Sequence, residues 1–430
     1  MKALILAAGE GARLQPMTTT RPKHLLPIAG RPTLEHLLLA IRDAGINQVM
    51  IIVGYRSEMI ENYFEDGKRL GLELTYIHQE RPLGTANAIS LGEKYIEEDY
   101  FLVIYGDLYI NPCLIKSLIK KHQKTGLSSI AVVPVKNPQE FGIISLEDGF
   151  VKGIVEKPKA GEGNGNLANT GIYIFPREIF REISNTHASP RSEYEITDTI
   201  LLLLKKGIRL AADIIEPENW LDLGRPWDLL EANERALKSV NPEIKGIVES
   251  GVNILGDVGI EEGARIRSGS YLEGPIIIGG GSDIGPNCYI RPFTSIGKNV
   301  RIGNACEVKA SLILDGTHVG HLSYIGDSII GENCNLGAGT ITANLRLDDG
   351  TVKVLIKSEL VDSGLRKFGV IMGDNVKTGV GVSIMPGVKL GPNAWIGPDV
   401  TVFRDVGEAG FISQMQNLRA HGEKKTPSSL

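Results

Sequence analysis

Residues 278–303 read IGGGSDIGPNCYIRPFTSIGKNVRIG, and an aliphatic residue returns in this stretch at every sixth position. A helix repeats its side chains about every 3.6 residues and a strand every two, so neither produces this period. A parallel β-helix does, because each hexapeptide forms one side of a triangular coil and points its aliphatic residue inward. The same frame includes Val248, Ile254, Ile260, Ile266, Leu272, Ile278, Ile284, Ile290, Ile296, Ile302, Val308 and Leu314. We therefore predict a left-handed parallel β-helix of hexapeptide repeats over residues 246–406.

The repeat is interrupted in its second half. Its phase slips near Val319 and Ile330, and it returns at Leu336, Met372, Ile384, Leu390, Ile396 and Val402. The period fails between positions 344 and 367, which predicts a loop extruded from the coil. Residues 407–430 are charged and small, and we expect this C-terminal tail to fray or to dock on a neighbour.

Residues 1–240 follow a different pattern, in which short β-rich runs alternate with amphipathic helices. Strands are predicted at 2–6, 49–53, 74–78, 101–105 and 129–135, and helices at 33–44, 58–64, 85–94 and 112–124. This alternation predicts a doubly wound, Rossmann-like α/β domain with a parallel sheet and helices on both faces. Ligands bind such sheets at the carboxyl ends of the strands.

The composition limits the classes of function. A chain of 430 residues suits two domains, and a net charge of −5 with scattered basic residues argues against a nucleic-acid partner. No apolar stretch approaches the ~18 residues that a membrane helix needs, so no membrane contact is expected. The cysteines lack CxxC spacing, which indicates a reducing compartment and argues against structural zinc: Cys113, Cys288, Cys306 and Cys334. We expect a cytoplasmic protein.

A glycine-rich turn follows the first predicted strand, where residues 4–28 read LILAAGEGARLQPMTTTRPKHLLPI. Gly9 and Gly11 resemble the start of a dinucleotide motif, but Leu14 takes the place of its third glycine. The backbone N–H groups of such a turn can cradle phosphate, and Arg13 and Lys23 could reach the same place. Two fixed cations there would stabilise the charge of a triphosphate. The alternative is that both are solvated surface charges.

The stretch GEGARLQPMTTTRPKHLLPI resembles the motif of the sugar-1-phosphate nucleotidylyltransferases, with Pro22-Lys23-His24-Leu25 as a variant of the usual Lys-Pro-Leu block. The resemblance implies that a nucleoside triphosphate is joined to a sugar 1-phosphate and that pyrophosphate leaves, without a covalent intermediate. It also implies that Arg13 and Lys23 are catalytic and that Gly9 and Gly11 contact the nucleotide.

The nucleoside side of the site is implied by the stretch HQERPLGTANA. Gln79 matches the base-reading glutamine of the family, and its amide can pair with both O4 and N3–H of uracil or thymine. That favours UTP or dTTP as the donor. Gly84 and Thr85 match the turn that lies against the nucleoside.

Two aspartates match the Mg²⁺ ligands of the family, Asp107 in YGDLYI and Asp222 in NWLDLG. Two carboxylates with phosphate oxygens make a plausible Mg²⁺ site. Alternatively, Asp107 caps the following helix and Asp222 lies in the turn before a helix that starts at Pro226. On the sugar side the resemblance implies contacts from Gly142, Glu156, Lys157, Asn169 and Gly171.

Residues 307–344 read EVKASLILDGTHVGHLSYIGDSIIGENCNLGAGTITAN. They resemble the acetyltransferase half of the bifunctional glucosamine-1-phosphate acetyltransferase/N-acetylglucosamine-1-phosphate uridylyltransferases. The resemblance implies acetyl-CoA as co-substrate and His321 as general base, and a pKa near ~6.5 suits an imidazole for that task. Arg291 and Lys309 would grip the sugar phosphate. Further contacts are implied for Tyr324, Asn335 and Asn344, with Ala338 facing the acetyl group of the cofactor.

Some features of this half leave alternatives open. His321 could be a surface histidine on a corner of the coil, and His318 with His321 lacks the third ligand of a metal site. Leu345 stands where bacterial-type members usually have tyrosine, and Lys353 or Lys367 could supply the lysine of the family's lysine-phenylalanine pair. Glucosamine 1-phosphate and galactosamine 1-phosphate both remain possible acceptors.

Together the two resemblances imply a bifunctional enzyme of archaeal-like type that makes UDP-N-acetylglucosamine. They also imply a homotrimer, because acyl sites in this family form between subunits. The alternative is a nucleotidylyltransferase with a single activity, whose β-helix serves only assembly.

Overall fold

The computed structural model describes residues 1–159, 165–240 and 242–414 of the chain. The predicted C-terminal tail lies outside these residues from position 415 onward. Within them, the chain forms an α/β half followed by a triangular coil of short parallel strands, as the two sequence patterns predict.

A mixed β-sheet forms the centre of the α/β half. Across the sheet the strands follow the order Glu73–His78, Gln48–Val53, Ala3–Ala7, Tyr100–Tyr105, Leu167–Pro176, Ser128–Pro134, Leu210–Ile214, Phe150–Glu156 and Gly142–Glu147. Each predicted strand is present. The sheet differs from the predicted parallel one because Leu167–Pro176 runs antiparallel between its neighbours and Phe150–Glu156 forms a hairpin with Gly142–Glu147. A short turn can connect only antiparallel strands, and the turn after Glu147 is short.

Helices cover both faces of this sheet, as predicted. Alternate residues of Ala3–Ala7 point to opposite faces, so Ile5 packs in one apolar cluster and Leu4 in the other. The first cluster contains side chains of the helices Thr33–Asp43, Ser57–Phe64 and Pro112–Thr125. The second contains side chains of Thr85–Ser90, Ile179–Ser184 and Ile196–Lys205.

A small antiparallel ribbon joins distant parts of the α/β half. The strand Leu108–Ile110 pairs with Trp220–Asp222, and the helix Pro226–Ser239 follows directly. In this register Asp222 lies opposite Leu108, and Leu223 N donates to Asp107 O at 2.9 Å. The ribbon therefore brings Asp222 beside Asp107, which follows the carboxyl end of the strand Tyr100–Tyr105 in the main sheet.

The coil has three sides. The first side contains the strands Ile247–Val248, Arg265–Ile266, Asp283–Ile284, Arg301–Ile302, His318–Val319, Asn335–Leu336, Lys377–Thr378, Trp395–Ile396 and Phe411–Ile412. The second side contains Asn253–Leu255, Tyr271–Glu273, Tyr289–Ile290, Glu307–Lys309, Tyr324–Gly326, Ile341–Thr342, Ser383–Ile384 and Thr401–Val402. The third side contains Val258–Ile260, Ile276–Ile278, Thr294–Ile296, Leu312–Ile313, Ile329–Ile330, Ile371–Met372 and Lys389–Leu390.

Most of the predicted inward residues form one buried cluster inside the coil. Val248 and Ile254 align in register with the buried Ile266 and Leu272, but they are exposed because they belong to the first turn of the coil. The prediction was wrong at Leu314. Leu314 packs outside the coil, because Ser295 pairs with Leu312 and this turn is one residue shorter. The six-residue repeat of inward-pointing side chains therefore shifts by one residue before Val319.

The stretch predicted to leave the coil is a β-hairpin. The strands Lys353–Ile356 and Glu359–Asp362 pair antiparallel, and Leu345 bridges to Lys367 at the base. The hairpin brings Val352 into a buried cluster that also contains Leu14, Met17, Leu26, Trp227, Val354 and Phe368. The insertion thus covers the segment that follows the glycine turn.

The two halves also meet through the last helix of the α/β half. Asn233 is fully buried there, and its Nδ2 donates to Phe293 O at 2.9 Å. Its Oδ1 accepts from Ser295 Oγ at 2.6 Å and from Ala29 N at 2.9 Å. Because every one of these groups is paired, the polar contact adds specificity to the interface without leaving a buried group unsatisfied.

Two candidate active sites

Two adjoining cavities open at the carboxyl ends of Ala3–Ala7 and Tyr100–Tyr105. Their volumes are about 290 and 250 Å³, and both are lined by Thr85, Tyr105 and Asp107. The first is lined by the predicted nucleotide residues Gly9, Lys23, Gln79, Gly84 and Thr85. The second is lined by Arg13, Gly142, Glu156, Lys157, Asn169 and Asp222. Asp107 thus stands where the two parts of one cleft meet.

The glycine turn holds Lys23 in the cleft. Gly11 adopts φ 72°, and a Cβ atom there would lie 3.2 Å from Lys23 Cβ. The lysine side chain runs over the turn, and a Cβ at Gly9 would lie 3.9 Å from its Cε. Lys23 Nζ then donates to Asp107 Oδ2. A glycine at position 11 therefore leaves room for the Lys23 side chain, and Gly11 lies behind that side chain.

Arg13 reaches the cleft beside Asp222. A Cβ atom at Gly224 would lie 3.0 Å from Arg13 Nη2 and 3.1 Å from Asp222 Oδ2, so both groups flank this glycine. The two predicted cations and the two predicted carboxylates therefore occupy one site, although they come from four separate segments.

The pKa values of the two carboxylates are shifted in opposite directions. Burial opposes ionisation of Asp107, but Lys23 outweighs burial and holds the pKa of this carboxyl below its usual value. Burial and the neighbouring charge of Asp107 raise the pKa of Asp222 to about 6. The negative charge of Asp107 thus opposes ionisation of Asp222, and a divalent cation bound to both carboxylates would relieve this repulsion. Mg²⁺ commonly takes one or two carboxylates together with substrate phosphates and water, so these residues fit it.

The nucleoside part of the cleft contains an oriented amide. Gln79 Nε2 donates to Asn87 Oδ1 at 2.9 Å. Gly84 adopts φ 110°, and a Cβ there would lie 2.5 Å from Tyr194 O, so only glycine fits. Thr85 Oγ1 accepts from Ile196 N at 2.9 Å, which fixes the start of the helix Thr85–Ser90.

The sugar part of the cleft contains most of the predicted residues. A Cβ at Gly142 would lie 2.9 Å from Glu156 Oε2, so this glycine makes room for the carboxylate. Asn169 Oδ1 accepts from Gly171 N at 3.1 Å. Gly171 itself lies behind the cleft wall, where a Cβ would meet Tyr105 Cδ2 at 2.5 Å. Gly171 therefore contacts the ring of Tyr105.

The second candidate site lies on the second side of the coil. Lys309 Nζ lies 3.0 Å from Asp327 Oδ2, and Asn344 Nδ2 donates to the same carboxylate and to Tyr324 OH at 3.0 Å. Arg291 Nη1 donates to Glu307 Oε1 at 2.8 Å. Arg291 Nε is buried and has no hydrogen-bond partner among the described residues.

His321 lies on the corner between the first and second sides, and its side chain is exposed. Its carbonyl accepts from Gly339 N at 3.2 Å, so Ala338 lies one turn of the coil away on the same corner. Asn335 lies on the first side, paired in register with His318. The predicted acetyl-site residues are therefore divided between two sides of the coil. No cluster of three metal-ligating side chains occurs within the described parts of the chain.

Comparison with known proteins assigns both halves. The nucleotidyl transferase family matches residues 2–239, and the GMPPB C-terminal domain family matches residues 272–384. The bifunctional protein GlmU of Methanocaldococcus jannaschii is 45% identical over 423 residues, which cover 97% of this chain and 98% of that protein. The chain belongs to this bifunctional family. A bifunctional sugar-1-phosphate nucleotidylyltransferase/acetyltransferase of Sulfurisphaera tokodaii is 41% identical and covers 96% of this chain and 99% of its own.

Solved structures resemble the α/β half of this family member. One is a glucose-1-phosphate thymidylyltransferase, assigned as putative, from Bacillus anthracis. It is 30% identical with a TM-score of 0.52, and the match covers 56% of this chain and 97% of that chain. A UDP-glucose pyrophosphorylase bound to UDP-glucose is 29% identical with a TM-score of 0.50, over 56% of this chain and 99% of its own.

The chain is therefore a bifunctional transferase, and the prediction of two activities is confirmed over that of a single activity on an assembly scaffold. The name of the Sulfurisphaera tokodaii relative gives that protein two activities, sugar-1-phosphate nucleotidyl transfer and acetyl transfer. Within the residues that the structure describes, every helix is too short or too polar to cross a bilayer.

Sequence reasoning missed some residues of both sites. Arg191 Nη2 binds Glu195 Oε1 at 2.8 Å and Glu156 Oε1 at 3.3 Å in the sugar part of the cleft. Arg191 and Glu195 were not predicted, and they lie just before the helix Ile196–Lys205 in a stretch without a recognisable motif. Asp327 was missed although it ends the quoted motif GHLSYIGD, and its polar type on a strand edge was the available signal.

Proposed function

We propose that the α/β cleft joins UTP, or dTTP, to a sugar 1-phosphate. The observation that carries this is the convergence of Arg13, Lys23, Asp107 and Asp222 between two adjoining cavities. A phosphate oxygen of the sugar attacks the α-phosphorus, the bond between the α-phosphorus and the bridging oxygen breaks, and pyrophosphate leaves. Lys23 and Arg13 stabilise the charge on the α-phosphate and on the departing pyrophosphate.

Asp107 and Asp222 would hold the Mg²⁺ ion that the family uses. When bound, the ion neutralises phosphate charge and orients the triphosphate. Lys23 Nζ donates to Asp107 in this structure. We infer that Lys23 exchanges this carboxylate for a phosphate when the nucleotide enters, which requires only a rotation of its flexible side chain.

Gln79 is the proposed reader of the base. Because Nε2 already donates one hydrogen to Asn87, Oε1 and the second hydrogen remain for the base edge. That pattern suits the donor and acceptor of uracil or thymine. Gly84 and Thr85 would lie against the ribose and base.

The smaller cavity is the proposed pocket for the sugar 1-phosphate. Glu156 and Asn169 offer an acceptor and an amide for sugar hydroxyls, while Lys157 offers a cation for the phosphate. Lys157 adopts φ 45° and donates its backbone N–H to Phe141 O at 3.0 Å, so its position is set by the backbone. Gly171 would act indirectly, by allowing Tyr105 to pack behind the pocket.

The coil is the proposed site of acetyl transfer from acetyl-CoA to glucosamine 1-phosphate, with galactosamine 1-phosphate as a second acceptor. His321 accepts a proton from the sugar amine as the amine nitrogen bonds to the thioester carbonyl carbon. The C–S bond then breaks, the sulfur takes up the proton that His321 accepted, and CoA leaves as the thiol. The unpartnered Nε of Arg291 and the ammonium of Lys309 suit the sugar phosphate.

Lys367 is the better candidate for the lysine that completes this site. It lies at the base of the hairpin, where Phe368 N donates to Asn344 O at 2.9 Å. Lys353 instead pairs in register with Asp362 within the hairpin. Ala338, on the same corner as His321, would face the acetyl group.

A homotrimer is the proposed assembly. Asn335 on the first side and Tyr324 on the second cannot meet one substrate within a single triangular coil, whereas neighbouring copies can combine the two sides. Large apolar side chains are exposed on the first side and its corner, with Trp395 at 54%, Phe411 at 67% and Leu322 at 63%. Such exposure marks an interaction surface.

The product of both steps would be UDP-N-acetylglucosamine. The test is to supply the purified chain with acetyl-CoA and glucosamine 1-phosphate and to follow free thiol, then to add UTP and follow pyrophosphate. His321→Ala should abolish thiol release and keep pyrophosphate release from N-acetylglucosamine 1-phosphate. His318→Ala, three residues away on the same coil, is the matched control and should keep both. Absence of thiol release from the unaltered chain would contradict the proposed acetyl acceptor.

A further inference from the structure

The segment between Arg13 and Lys23 contacts the β-helix through charged groups. The Arg21 guanidinium pairs with the carboxylates of Glu332 and Asp374, and Thr20 Oγ1 donates to Asp374 Oδ2 at 2.6 Å. The side chains of Arg21 and Asp374 are 8% and 9% exposed. A charge buried to this degree depends on its partner, because removal of one member leaves the other unpaired in a poor solvent.

The β-helix holds Asp374 rigidly. Its Oδ1 accepts from Glu332 N at 2.8 Å, and Asn375 N donates to Glu332 O at 2.8 Å. The Asp374 carboxylate is therefore fixed to the backbone of Glu332 on the neighbouring turn of the coil, which offers a firm anchor for the incoming arginine.

The position of Arg21 is transmitted to Lys23 through a short and stiff connection. Pro22 restricts its own backbone, and its carbonyl accepts from Leu25 N at 3.0 Å. Leu26 N donates to Lys23 O at 3.1 Å, which completes the turn. A shift of Arg21 would therefore shift the backbone of Lys23.

Space for such a shift exists beside the contact. Arg21, Glu332 and Asp374 line a cavity of about 650 Å³ between the two halves of the chain. Without the carboxylates, the segment could relax toward this space.

We propose that Asp374 and Glu332 of the β-helix are positioning residues for nucleotidyl transfer, because they hold Arg21 where Lys23 meets the triphosphate. The inference rests on the proposed role of Lys23. It makes the acetyltransferase half a structural part of the nucleotidyl site.

The test compares Asp374→Asn with Asp405→Asn in the full-length chain. Asp405 is the matched control, because its Oδ1 also accepts a backbone N–H, that of Lys389 at 2.9 Å within the β-helix. Asp374→Asn should lower kcat for pyrophosphate release about tenfold or more, since small misplacements of catalytic groups cost that much. KM for the sugar 1-phosphate and the rate of thiol release should stay within about twofold of the unaltered chain.

A second variant and a mutant cycle separate positioning from general damage. Thr20→Val removes one hydrogen bond to Asp374 without removing a charge, and should lower the same kcat by less. Arg21→Ala combined with Asp374→Asn should be no worse than the more severe single variant, because residues that act as a unit are not additive.

The proposal is overturned if kcat stays within about twofold in both Asp374→Asn and Thr20→Val. A parallel loss of thiol release, or an equal loss in Asp405→Asn, would overturn it as well. Lys23→Met separates the two levels of inference. If that variant keeps nucleotidyl transfer, the proposed role of Lys23 fails, whatever Asp374→Asn does.

Discussion

Lys23 donates a hydrogen bond from Nζ to Asp107 Oδ2. The two residues come from distant segments, because Lys23 follows the glycine turn and Asp107 follows the strand Tyr100–Tyr105. The contact joins a proposed catalytic cation to a proposed metal ligand. It lowers the pKa of Asp107 and keeps that carboxylate ionised and ready for a cation.

Lys23→Met should remove the cation and keep most of the side-chain volume. We expect kcat for pyrophosphate release to fall on the order of 10²–10³-fold, which is typical for the loss of one preorganised group that stabilises developing charge. Thiol release at the β-helix should not change. Lys152→Met is the control, because Lys152 pairs with Glu147 at 2.9 Å on an exposed hairpin. Unchanged kcat in Lys23→Met would contradict the role.

Asp222 should make stability depend on pH in a defined direction. Its pKa of about 6 lies above the ~3.9 of an unfolded aspartate, so the folded chain binds the proton more tightly. The contribution of Asp222 to the free energy of unfolding is therefore complete below about pH 3.9 and is lost as the pH rises through 6. This contribution is at most about 3 kcal/mol. Ligand-free Asp222→Asn should be more stable than the unaltered chain at pH 7, and the gap should narrow toward pH 4.

Urea unfolding across this pH range measures the difference in the free energy of unfolding between Asp222→Asn and the unaltered chain. Asp148→Asn, at an exposed turn, is the control and should show no such trend. A gap between Asp222→Asn and the unaltered chain that widens toward acid pH would reverse the sign and contradict the prediction.

Asp327→Asn should weaken the acetyl site selectively. Asp327 holds both Lys309 and Asn344, so its loss frees two side chains that we propose bind the substrate. A hydrogen bond to a charged group contributes about 1.5–3 kcal/mol, so KM for glucosamine 1-phosphate should rise about tenfold or more. Asp283→Asn, which breaks a pair with Arg267 on the first side of the coil, should leave this KM unchanged. An unaltered KM in Asp327→Asn would exclude the proposed arrangement.

Phe368→Ala should weaken the contact between the two halves. The ring is fully buried and meets Trp227 edge-on at a centroid distance of 6.2 Å. Its truncation should lower the free energy of unfolding by about 3–5 kcal/mol. Phe403→Ala, whose side chain is 72% exposed, should cost far less. Equal costs in a denaturant titration would show that the cluster does not hold the halves together.

Much of the fold could be predicted from local sequence periods. The six-residue repeat predicted the coil, and alternation of strands and helices predicted the α/β half with helices on both faces. Those patterns are local, because side-chain direction follows backbone period. The antiparallel direction of the strand Leu167–Pro176 was not predictable in this way, since the alternation of side chains is the same in parallel and antiparallel strands.

The sequence by itself determined the two architectures and the residue types that can perform their chemistry, from the glycine turn with Arg13 and Lys23 to the motif around His321. Tertiary structure alone decided which of these groups meet. Asp222 joins Asp107 through an antiparallel ribbon, and Arg21 finds Asp374 across the two halves of the chain. Such contacts depend on how distant segments pack, and no local period of side chains encodes that packing.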